Sequence, residues 1–447
     1  MTVEHAPFSV FVAARRRAGT LIVQPRMGFG DPAVMRAGLL AVRAAGVPAV
    51  GTVTLDSFTR QGEHERAAMA RAAGLDLNGY PLVAEGARGT ARMLAGIAGP
   101  GFPLQVRHGS PRPERIFRTM LAAGVEATEG GPVSYCLPYS RVPLRESVRA
   151  WSRATRLLAR QADRGVRCHL ETFGGCMLGQ LCPPALLVAI SVLECAFFAE
   201  HGITSMSASY AQQTCPEQDV EALAALRLLC AEFLPGVDWH VVLYTFMGLY
   251  PRSPEGAEEL LRQSARLAVR TGTERLIVKT VAEAHRIPTI QENVEALRVA
   301  HRTAVAAGAE VAAGAADAAG AAGASDDAGA AAADAAKTTV RDTEVYQQAR
   351  TLIETVLSLA PTVARALPAA FEQGLLDVPY CLHPDNRNES RCAIGPDGRL
   401  EWCDVGRMPL AGAARGRAAV GLRSLLADLE FHRRRLDPYP STFGSGR

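Results

Sequence analysis

Short apolar runs alternate with longer amphipathic segments from about residue 20 to residue 290. The apolar runs predict nine strands, at 21–24, 49–55, 81–84, 103–107, 125–128, 168–172, 205–210, 239–245 and 275–279. Helical periodicity between them predicts helices at 31–45, 62–74, 113–123, 144–164, 183–199, 218–233 and 255–271. Alternation of this kind favours a parallel sheet with right-handed crossover connections.

The number of these units narrows the fold class. Eight or nine strand–helix units within about 270 residues fit an α/β fold of the (β/α)8 TIM-barrel type. An open, doubly wound sheet is the alternative that the pattern leaves. We therefore predict a substrate-binding barrel over residues 1–300.

The rest of the chain is expected to differ from the barrel. Residues 304–336 are almost entirely Ala, Gly and Asp, and no large apolar side chain anchors them, so a mobile surface insertion is predicted. Residues 340–447 predict a smaller C-terminal α+β appendage that completes the subunit, with helices near 343–375 and a strand in RLEWCDVG.

Charge and composition exclude several classes of protein. The 48 basic and 45 acidic residues leave a net charge of +3, which gives no electrostatic case for nucleic acid or a membrane surface. Glu194 interrupts the most apolar segment, and the N-terminal charge follows its apolar run, so no membrane span and a cytoplasmic protein are expected. The ten cysteines contain no CxxC pair, and the histidines show no zinc-ligand spacing, so no metal site is expected.

Three arginines follow predicted strands and precede predicted helices. Arg26 ends LIVQPR, Arg60 ends VTLDSFTR and Arg107 ends PLQVR. If the strands close into a barrel, these guanidinium groups meet at one mouth, where they suit a substrate with more than one carboxylate. His108 and Gly109 follow directly, so the chain turns there and brings backbone close to a ligand.

The segment TEGGPVSYCLPYS places a carboxylate and two phenols after the fifth predicted strand. Glu129 is either a structural counter-ion for the arginines, a receptor for a substrate ammonium, or a general base. Tyr135 and Tyr139 add phenolic donors and flat apolar walls.

Two further motifs have more than one interpretation. Lys279 and Glu283 are spaced as an i,i+4 pair, which is either a surface ion pair or part of a ligand site at the barrel mouth. The segment GFGDPA fits a dinucleotide-binding motif, but Asp31 and Pro32 within it are also an ordinary helix start.

Several collinear motifs resemble the large (epsilon) subunit of glutamate mutase, also called methylaspartate mutase. They are LNGYPLV, VRHGSP, TEGGPVSYCLPY, TFGGCMLGQLCPP and LIVKTVAEAHRIPT, with the arginine series, and the resemblance extends from about residue 20 to the C-terminus. It implies a TIM barrel and an adenosylcobalamin-dependent radical rearrangement that interconverts L-glutamate and threo-3-methyl-L-aspartate.

The resemblance also implies roles for individual residues. Three arginines hold the two substrate carboxylates, and Glu129 contacts the ammonium. The implied substrate-binding residues are Arg26, Arg60, Arg107, His108, Glu129, Tyr135 and Tyr139, with Glu129 and Arg107 as the catalytic pair. The implied cofactor-facing residues are Gly28, Pro138, Tyr250, Lys279, Glu283 and Ile287.

The sequence contains no complete match to the cobalt-ligating motif of cobalamin-binding domains. The nearest match to D-x-H-x-x-G is DWHVVL at 238–243, which has Leu243 where the motif has Gly and lies on a predicted strand. The resemblance therefore implies a small cobalamin-binding (sigma) partner that supplies the cobalt ligand, and a homodimer within a heterotetramer. The alternatives are a related cobalamin-dependent mutase acting on another amino acid, a non-catalytic scaffold for the partner, and a dinucleotide-dependent oxidoreductase.

Overall fold

The computed structural model describes residues 7–177, 181–321, 338–414 and 420–437. Eight parallel strands form one sheet in the order β1-β8-β7-β6-β5-β4-β3-β2. The strands are β1 Ile22–Gln24, β2 Gly51–Thr54, β3 Leu104–Arg107, β4 Ala127–Glu129, β5 His169–Glu171, β6 Ser205–Ala211, β7 Asp238–Tyr244 and β8 Arg275–Ile277. A parallel bridge between Val23 and Ala49 joins β1 to the chain entering β2, so the sheet closes into the predicted (β/α)8 barrel.

Helices surround this barrel. They are α1 Pro7–Arg17, α2 Pro32–Arg43, α3 Ser57–Gln61, α4 His64–Ala72, α5 Leu82–Leu94, α6 Glu114–Ala122, α7 Leu144–Ala159, α8 Pro184–Glu200, α9 Pro216–Phe233, α10 Pro254–Arg270 and α11 Ile290–Ala321. Five of them begin with proline, whose missing N–H is harmless in a first turn. Asp31 caps α2 by accepting hydrogen bonds from the amides of Ala33 and Val34, which confirms the helix start within GFGDPA.

One predicted strand is wrong. Residues 81–84 open α5 instead of forming a ninth strand. Tyr80 makes an isolated parallel bridge to Leu55, and the backbone then turns into the helix, which bends at Gly86. A short apolar run is compatible with a buried strand or with the first turn of a helix, and here the amphipathic stretch that follows it determines the outcome.

The N-terminal end of the barrel is closed by α1. Phe8, Phe11 and Val12 pack with Ile22 and Val50, which lie at the starts of the first two strands. The Phe8 ring also stacks on the buried His169, with 4.3 Å between ring centroids. The opposite end, where the strands terminate, is therefore the open mouth.

The C-terminal region consists of helices and a small antiparallel sheet. The elements are α12 Glu344–Ser358, α13 Val363–Gln373, β9 Arg391–Ile394, β10 Leu400–Asp404, α14 Leu422–Leu429 and α15 Phe431–Leu436. The predicted strand in RLEWCDVG is thus confirmed, whereas its partner β9 had no clear sequence signal. Helix α12 packs on α8 and α9, and 14 residues of α8 are buried.

The Ala/Gly segment begins inside a helix. Helix α11 continues to Ala321, so the first half of the predicted insertion is helical although glycines interrupt it. Its high alanine content outweighs the unfavourable glycines there. The remainder of the predicted insertion, from residue 322, lies outside the described residues.

Candidate functional site

A cavity of about 730 Å³ lies at the carboxyl end of the strands. It is lined by four arginines, a carboxylate and aromatic rings, together with backbone at Gly109. The predicted site residues among its lining are Arg26, Arg60, Arg107, His108, Glu129, Tyr135, Pro138 and Tyr139.

The three arginines reach this cavity from different positions in their units. Arg107 is the last residue of β3, and Arg26 lies two residues beyond β1. Arg60 lies on α3, a short helix after β2 that Asp56 caps at the amide of Thr59. The sequence places Arg60 at a strand exit, and the structure adds this helix between the strand and the guanidinium.

Arg107 and Glu129 form a buried ion pair. The Nε of Arg107 lies 2.8 Å from Oε2 of Glu129, and the side chains are 5% and 1% exposed. Burial opposes the charge on Arg107, but the Glu129 carboxylate and two neighbouring phenols outweigh it and raise the pKa of Arg107 well above its ordinary value. This cation is therefore permanently charged at the floor of the cavity.

Arg60 has no such partner. No acidic side chain lies within ion-pair distance of it among the described residues, and its buried Nε has no hydrogen-bond partner there. Burial lowers the pKa of Arg60, and the nearby Arg26 adds to this effect. A largely buried cation without an acidic partner is stabilised by any anion that enters the cavity.

Arg26 connects the first cavity to a second one. Its Nη1 lies 2.7 Å from Oε2 of Glu283, and the Nζ of Lys279 lies 3.9 Å from the same oxygen. The second cavity, of about 460 Å³, is lined by Arg26, Gly28, Thr54, Asn78 and the segment 283–288, which includes Ile287. Lys279 and Glu283 therefore form part of the barrel mouth and are not an isolated surface pair.

Lys279 is buried over an aromatic ring. Its Nζ lies 4.2 Å from the centroid of Tyr250, whose hydroxyl donates to the carbonyl of Ala257 at 3.1 Å. Burial lowers the pKa of Lys279 to about 8, and the nearby Arg26 also lowers it, although Glu283 opposes the shift.

His108 presents an uncharged imidazole to the main cavity. Its Nδ1 accepts a hydrogen bond from the amide of Ser110 at 3.0 Å, which leaves the ring proton on Nε2. Burial lowers the pKa of His108 to about 3, and Arg60 adds to the shift. His108 is therefore neutral at physiological pH and can donate one hydrogen bond without adding charge.

A buried carboxylate holds the loop that carries Tyr135. Glu194 of α8 accepts hydrogen bonds from the amides of Val133 and Ser134, at 3.1 and 2.9 Å, and from the Ser134 hydroxyl at 2.9 Å. A Cβ added at Gly131 would lie 2.0 Å from Oε1 of Glu194, so the approach requires glycine. The second glycine of TEGGPV therefore leaves room for the Glu194 carboxylate that holds this loop.

Two residues of this region were missed by the sequence interpretation. The hydroxyl of Tyr244, the last residue of β7, donates at 2.7 Å to Oε2 of Glu129 and also contacts Glu171, the last residue of β5. Glu129 and Glu171 are direct neighbours in the β4–β5 register. The predicted strands end one residue later, at Thr172 and Thr245, so neither Glu171 nor Tyr244 stands at a predicted strand end.

Gly28 and His240 have structural explanations. A Cβ at Gly28 would lie 2.3 Å from the carbonyl oxygen of Thr54, so this glycine allows the chain to pack against β2. His240 is buried within β7 and stacks on His169 with 5.1 Å between ring centroids. The segment DWHVVL is thus the strand that its sequence predicts, and His240 does not face the mouth where a cofactor could approach.

Other site types lack support in the described parts of the chain. No group of three His, Cys, Asp or Glu side chains there could hold a metal ion. Within the same residues, no single helix has the length and hydropathy to cross a membrane, although α12 and α13, bent by 110°, meet that test as a pair.

Fold and site together define a (β/α)8 barrel with an arginine-lined cavity at its mouth. A family model described as methylaspartate mutase E chain matches residues 3–317 and 328–423. The chain belongs to this family of mutases.

Relatives of known name agree with this assignment. The glutamate mutase epsilon subunit of Escherichia coli O157:H7 is 26% identical over 421 residues, covering 91% of this chain and 82% of the relative. The epsilon subunit of Halobacterium salinarum is 28% identical over 412 residues, covering 90% and 81%.

Solved structures give weaker likenesses. A putative phosphonomutase from Burkholderia cenocepacia has a TM-score of 0.34 and 16% identity, and covers 60% of this chain and 90% of its own. A truncated 3-deoxy-D-arabino-heptulosonate 7-phosphate synthase from Thermotoga maritima has a TM-score of 0.35 and 12% identity, covering 65% and 88%. The fold assignment rests on the strand order and the closure of the sheet.

Proposed function

We propose that this chain is the catalytic subunit of a glutamate mutase, which interconverts L-glutamate and threo-3-methyl-L-aspartate. The observation that carries the proposal is the cluster of three arginines beside a buried carboxylate in one cavity. Arg60 and Arg26 supply charge for two substrate carboxylates, and Arg107 lies at the floor beside Glu129. In this assignment Glu129 receives the substrate ammonium.

The adjoining cavity suits adenosylcobalamin. It shares the lining residues Arg26 and Thr54 with the substrate cavity, and it offers a carboxylate and an amide, from Glu283 and Asn78, to ribose hydroxyls. Lys279 adds a buried ammonium close to the same carboxylate. These groups fit a bulky, polar, nucleoside-bearing ligand better than a small ion.

The remaining cofactor-facing assignments follow the same surface. Gly28 and Ile287 line the second cavity, and Ile287 is 53% exposed. Pro138 lines the first cavity, and Tyr250 acts through Lys279 above its ring. When bound, adenosylcobalamin supplies the radical that starts the rearrangement.

The chain's own residues hold the substrate in a reactive position. The arginines hold both carboxylates, so that the fragment that migrates stays next to its acceptor carbon. Tyr135 and Phe173 pack with ring centroids 5.1 Å apart beside Glu129, which keeps water from the reacting atoms. Glu129, bound to the ammonium, holds the amino group in one orientation.

A second subunit is part of the proposal. His240 lies inside the barrel wall, so we assign the cobalt ligand to a small cobalamin-binding partner docked at the mouth. Half-exposed Tyr139 and Ile287 give that mouth an apolar rim that suits a docking protein. The assembly we propose is a homodimer of this chain with two small subunits.

The test is reconstitution. The chain is mixed with a small cobalamin-binding subunit, adenosylcobalamin and L-glutamate, and the amino acids are analysed by chromatography. Formation of 3-methylaspartate that requires every component supports the proposal. The matched control is Glu129→Gln, which is isosteric and removes the negative charge, and it is expected to lose most of the turnover.

The other outcomes separate the alternatives. Turnover of a different amino acid, with none of glutamate, would assign a related mutase. Tight binding of the partner and the cofactor without any turnover would indicate a scaffold. Binding of NADH with no dependence on cobalamin would favour the oxidoreductase.

A further inference from the structure

Tyr244 joins two buried carboxylates beneath the substrate cavity. Its hydroxyl lies 2.7 Å from Oε2 of Glu129 and contacts Oε1 of Glu171 from the other side. All three side chains are at most 1% exposed. The phenol is therefore a fixed link between the residue proposed to bind the ammonium and a second carboxylate that the cavity does not expose.

Glu171 is itself held from below. Its Oε2 pairs with Arg275 and accepts hydrogen bonds from Gln105 at 3.1 Å and Ser207 at 3.2 Å. Nη1 of Arg275 in turn donates to Oε1 of Gln24 at 2.5 Å. These contacts tie the carboxylate to strands on all sides of the barrel, so Glu171 provides a rigid support for Tyr244.

Tyr244 acts as a donor in this arrangement. Burial raises the pKa of Tyr244 well above its ordinary value, and the charges of Glu129 and Glu171 add to the shift, so the phenol keeps its proton. A phenol has one hydrogen and can donate to one carboxylate at a time. The three other partners of Glu171 all contact its Oε2, so the phenol lies between Oε1 of Glu171 and Oε2 of Glu129, and its one hydrogen is within reach of either oxygen.

The same phenol also contacts the partner of Glu129. The guanidinium of Arg107 lies over the Tyr244 ring, 5.3 Å from its centroid, and pairs with the oxygen that Tyr244 bonds. The other oxygen of Glu129 accepts from Tyr135, which lines the cavity. Tyr244 therefore restrains both members of the Arg107–Glu129 pair from the side that faces away from the substrate.

We propose that Tyr244, supported by Glu171, is a positioning residue that orients Glu129 toward the substrate ammonium. It thereby sets the preference for an amino dicarboxylate over a dicarboxylate without an amine. This inference rests on the proposed function and adds two residues to its site. Without the Tyr244 hydroxyl, the Glu129 carboxylate can rotate toward Arg107 and turn its charge away from the ammonium.

The test compares two ligands on the full-length chain. Binding of L-glutamate and of glutarate, which has the same two carboxylates and no amine, is measured by titration calorimetry for the wild type and for Tyr244→Phe. We expect the preference for L-glutamate to fall about tenfold, which is the scale of one hydrogen bond to a charged group. The affinity for glutarate should stay unchanged, and this also shows that the variant is folded.

A matched control is available on the neighbouring strand. Tyr210 is also fully buried, and its hydroxyl donates to Asp219 at 2.8 Å outside the cavity. Tyr210→Phe should lower the melting temperature without changing the ratio of the two affinities. In the reconstituted enzyme, Tyr244→Phe should raise the KM for L-glutamate and lower kcat, whereas Tyr210→Phe should alter neither.

The outcomes that overturn the inference are distinct from failure of the proposed function. An equal loss of affinity for both ligands would make Tyr244 merely structural, and an unchanged preference would remove its role. A wild-type chain that binds the two ligands equally would contradict the proposed substrate, and the inference with it.

Discussion

Arg60 and Arg107 line the same cavity but differ in their partners, which predicts opposite effects on stability. Arg60 is a largely buried cation with no acidic neighbour at ion-pair distance in the described residues. Replacing it by methionine removes the desolvation of an unpaired charge, so we expect Arg60→Met to stabilise the ligand-free chain by about 1 kcal/mol. For a chain of this size that corresponds to a rise of about 1–2 °C in melting temperature.

Arg107→Met should do the reverse. It leaves Glu129 buried without its cation, and breaking a buried pair in this way costs about 3–5 kcal/mol. Both variants should bind glutarate about 10- to 100-fold more weakly, because each removes charged hydrogen bonds to a carboxylate. A gain in stability together with a loss of binding marks Arg60 as a residue kept for its ligand.

The assays are thermal unfolding of the ligand-free chain and calorimetric titration with glutarate. Arg153→Met is the control, since Arg153 is exposed, pairs with Glu114 on the surface, and should change the free energy of unfolding by less than about 1 kcal/mol. A loss of stability in Arg60→Met as large as that in Arg107→Met would refute the reasoning, as would unchanged binding.

Three further predictions concern the mouth and its supporting loop. Glu283→Gln frees Arg26 from its ion pair, so glutarate should bind the isolated chain several-fold more tightly by calorimetry; weaker binding would mean that Glu283 holds Arg26 in its binding position. Burial lowers the pKa of Lys279 to about 8 from an ordinary 10.5, so the unfolded chain binds this proton more tightly and stability should rise with pH between those values. Lys279→Met should abolish that rise in urea unfolding and be up to about 3 kcal/mol more stable at pH 7, whereas parallel pH profiles would contradict it. Gly131→Ala places a methyl group on Glu194 and should lower the melting temperature and displace the Tyr135 loop, unlike an alanine at the solvent-facing Gly99.

The barrel was predictable because its evidence is local. Short β-type runs such as 205–210 and 239–245 became β6 and β7, and Asp31 with Pro32 began a helix as expected. The strand predicted at 81–84 was wrong because four apolar residues do not distinguish a strand from a first helical turn. Helix α11 extends into the Ala/Gly segment because alanine propensity, summed over many residues, outweighs scattered glycines.

The site was predictable only in part. The sequence identifies charged residues after strands, and the structure brings Arg26, Arg60 and Arg107 to one cavity. It does not indicate which of them is paired, since Glu129 and Glu283 lie far from their partners along the chain. Partners of that kind depend on the closure of the barrel, and local periodicity carries no information about it.

Tyr244 and Glu171 show the same limit. Each lies at the end of its strand, where every residue of β5 and the last five residues of β7 are buried. Their function depends on Glu129, which is on another strand, and on Arg275 beneath them.

The proposed substrate site is tested most directly by a crystal structure of this chain with its small partner, adenosylcobalamin and L-glutamate. We predict that the two substrate carboxylates lie on Arg26, Arg60 and Arg107 and the ammonium on Glu129, with the adenosyl group beside Lys279 and Glu283. Glutamate bound outside this cavity, or with its ammonium turned away from Glu129, would contradict this prediction.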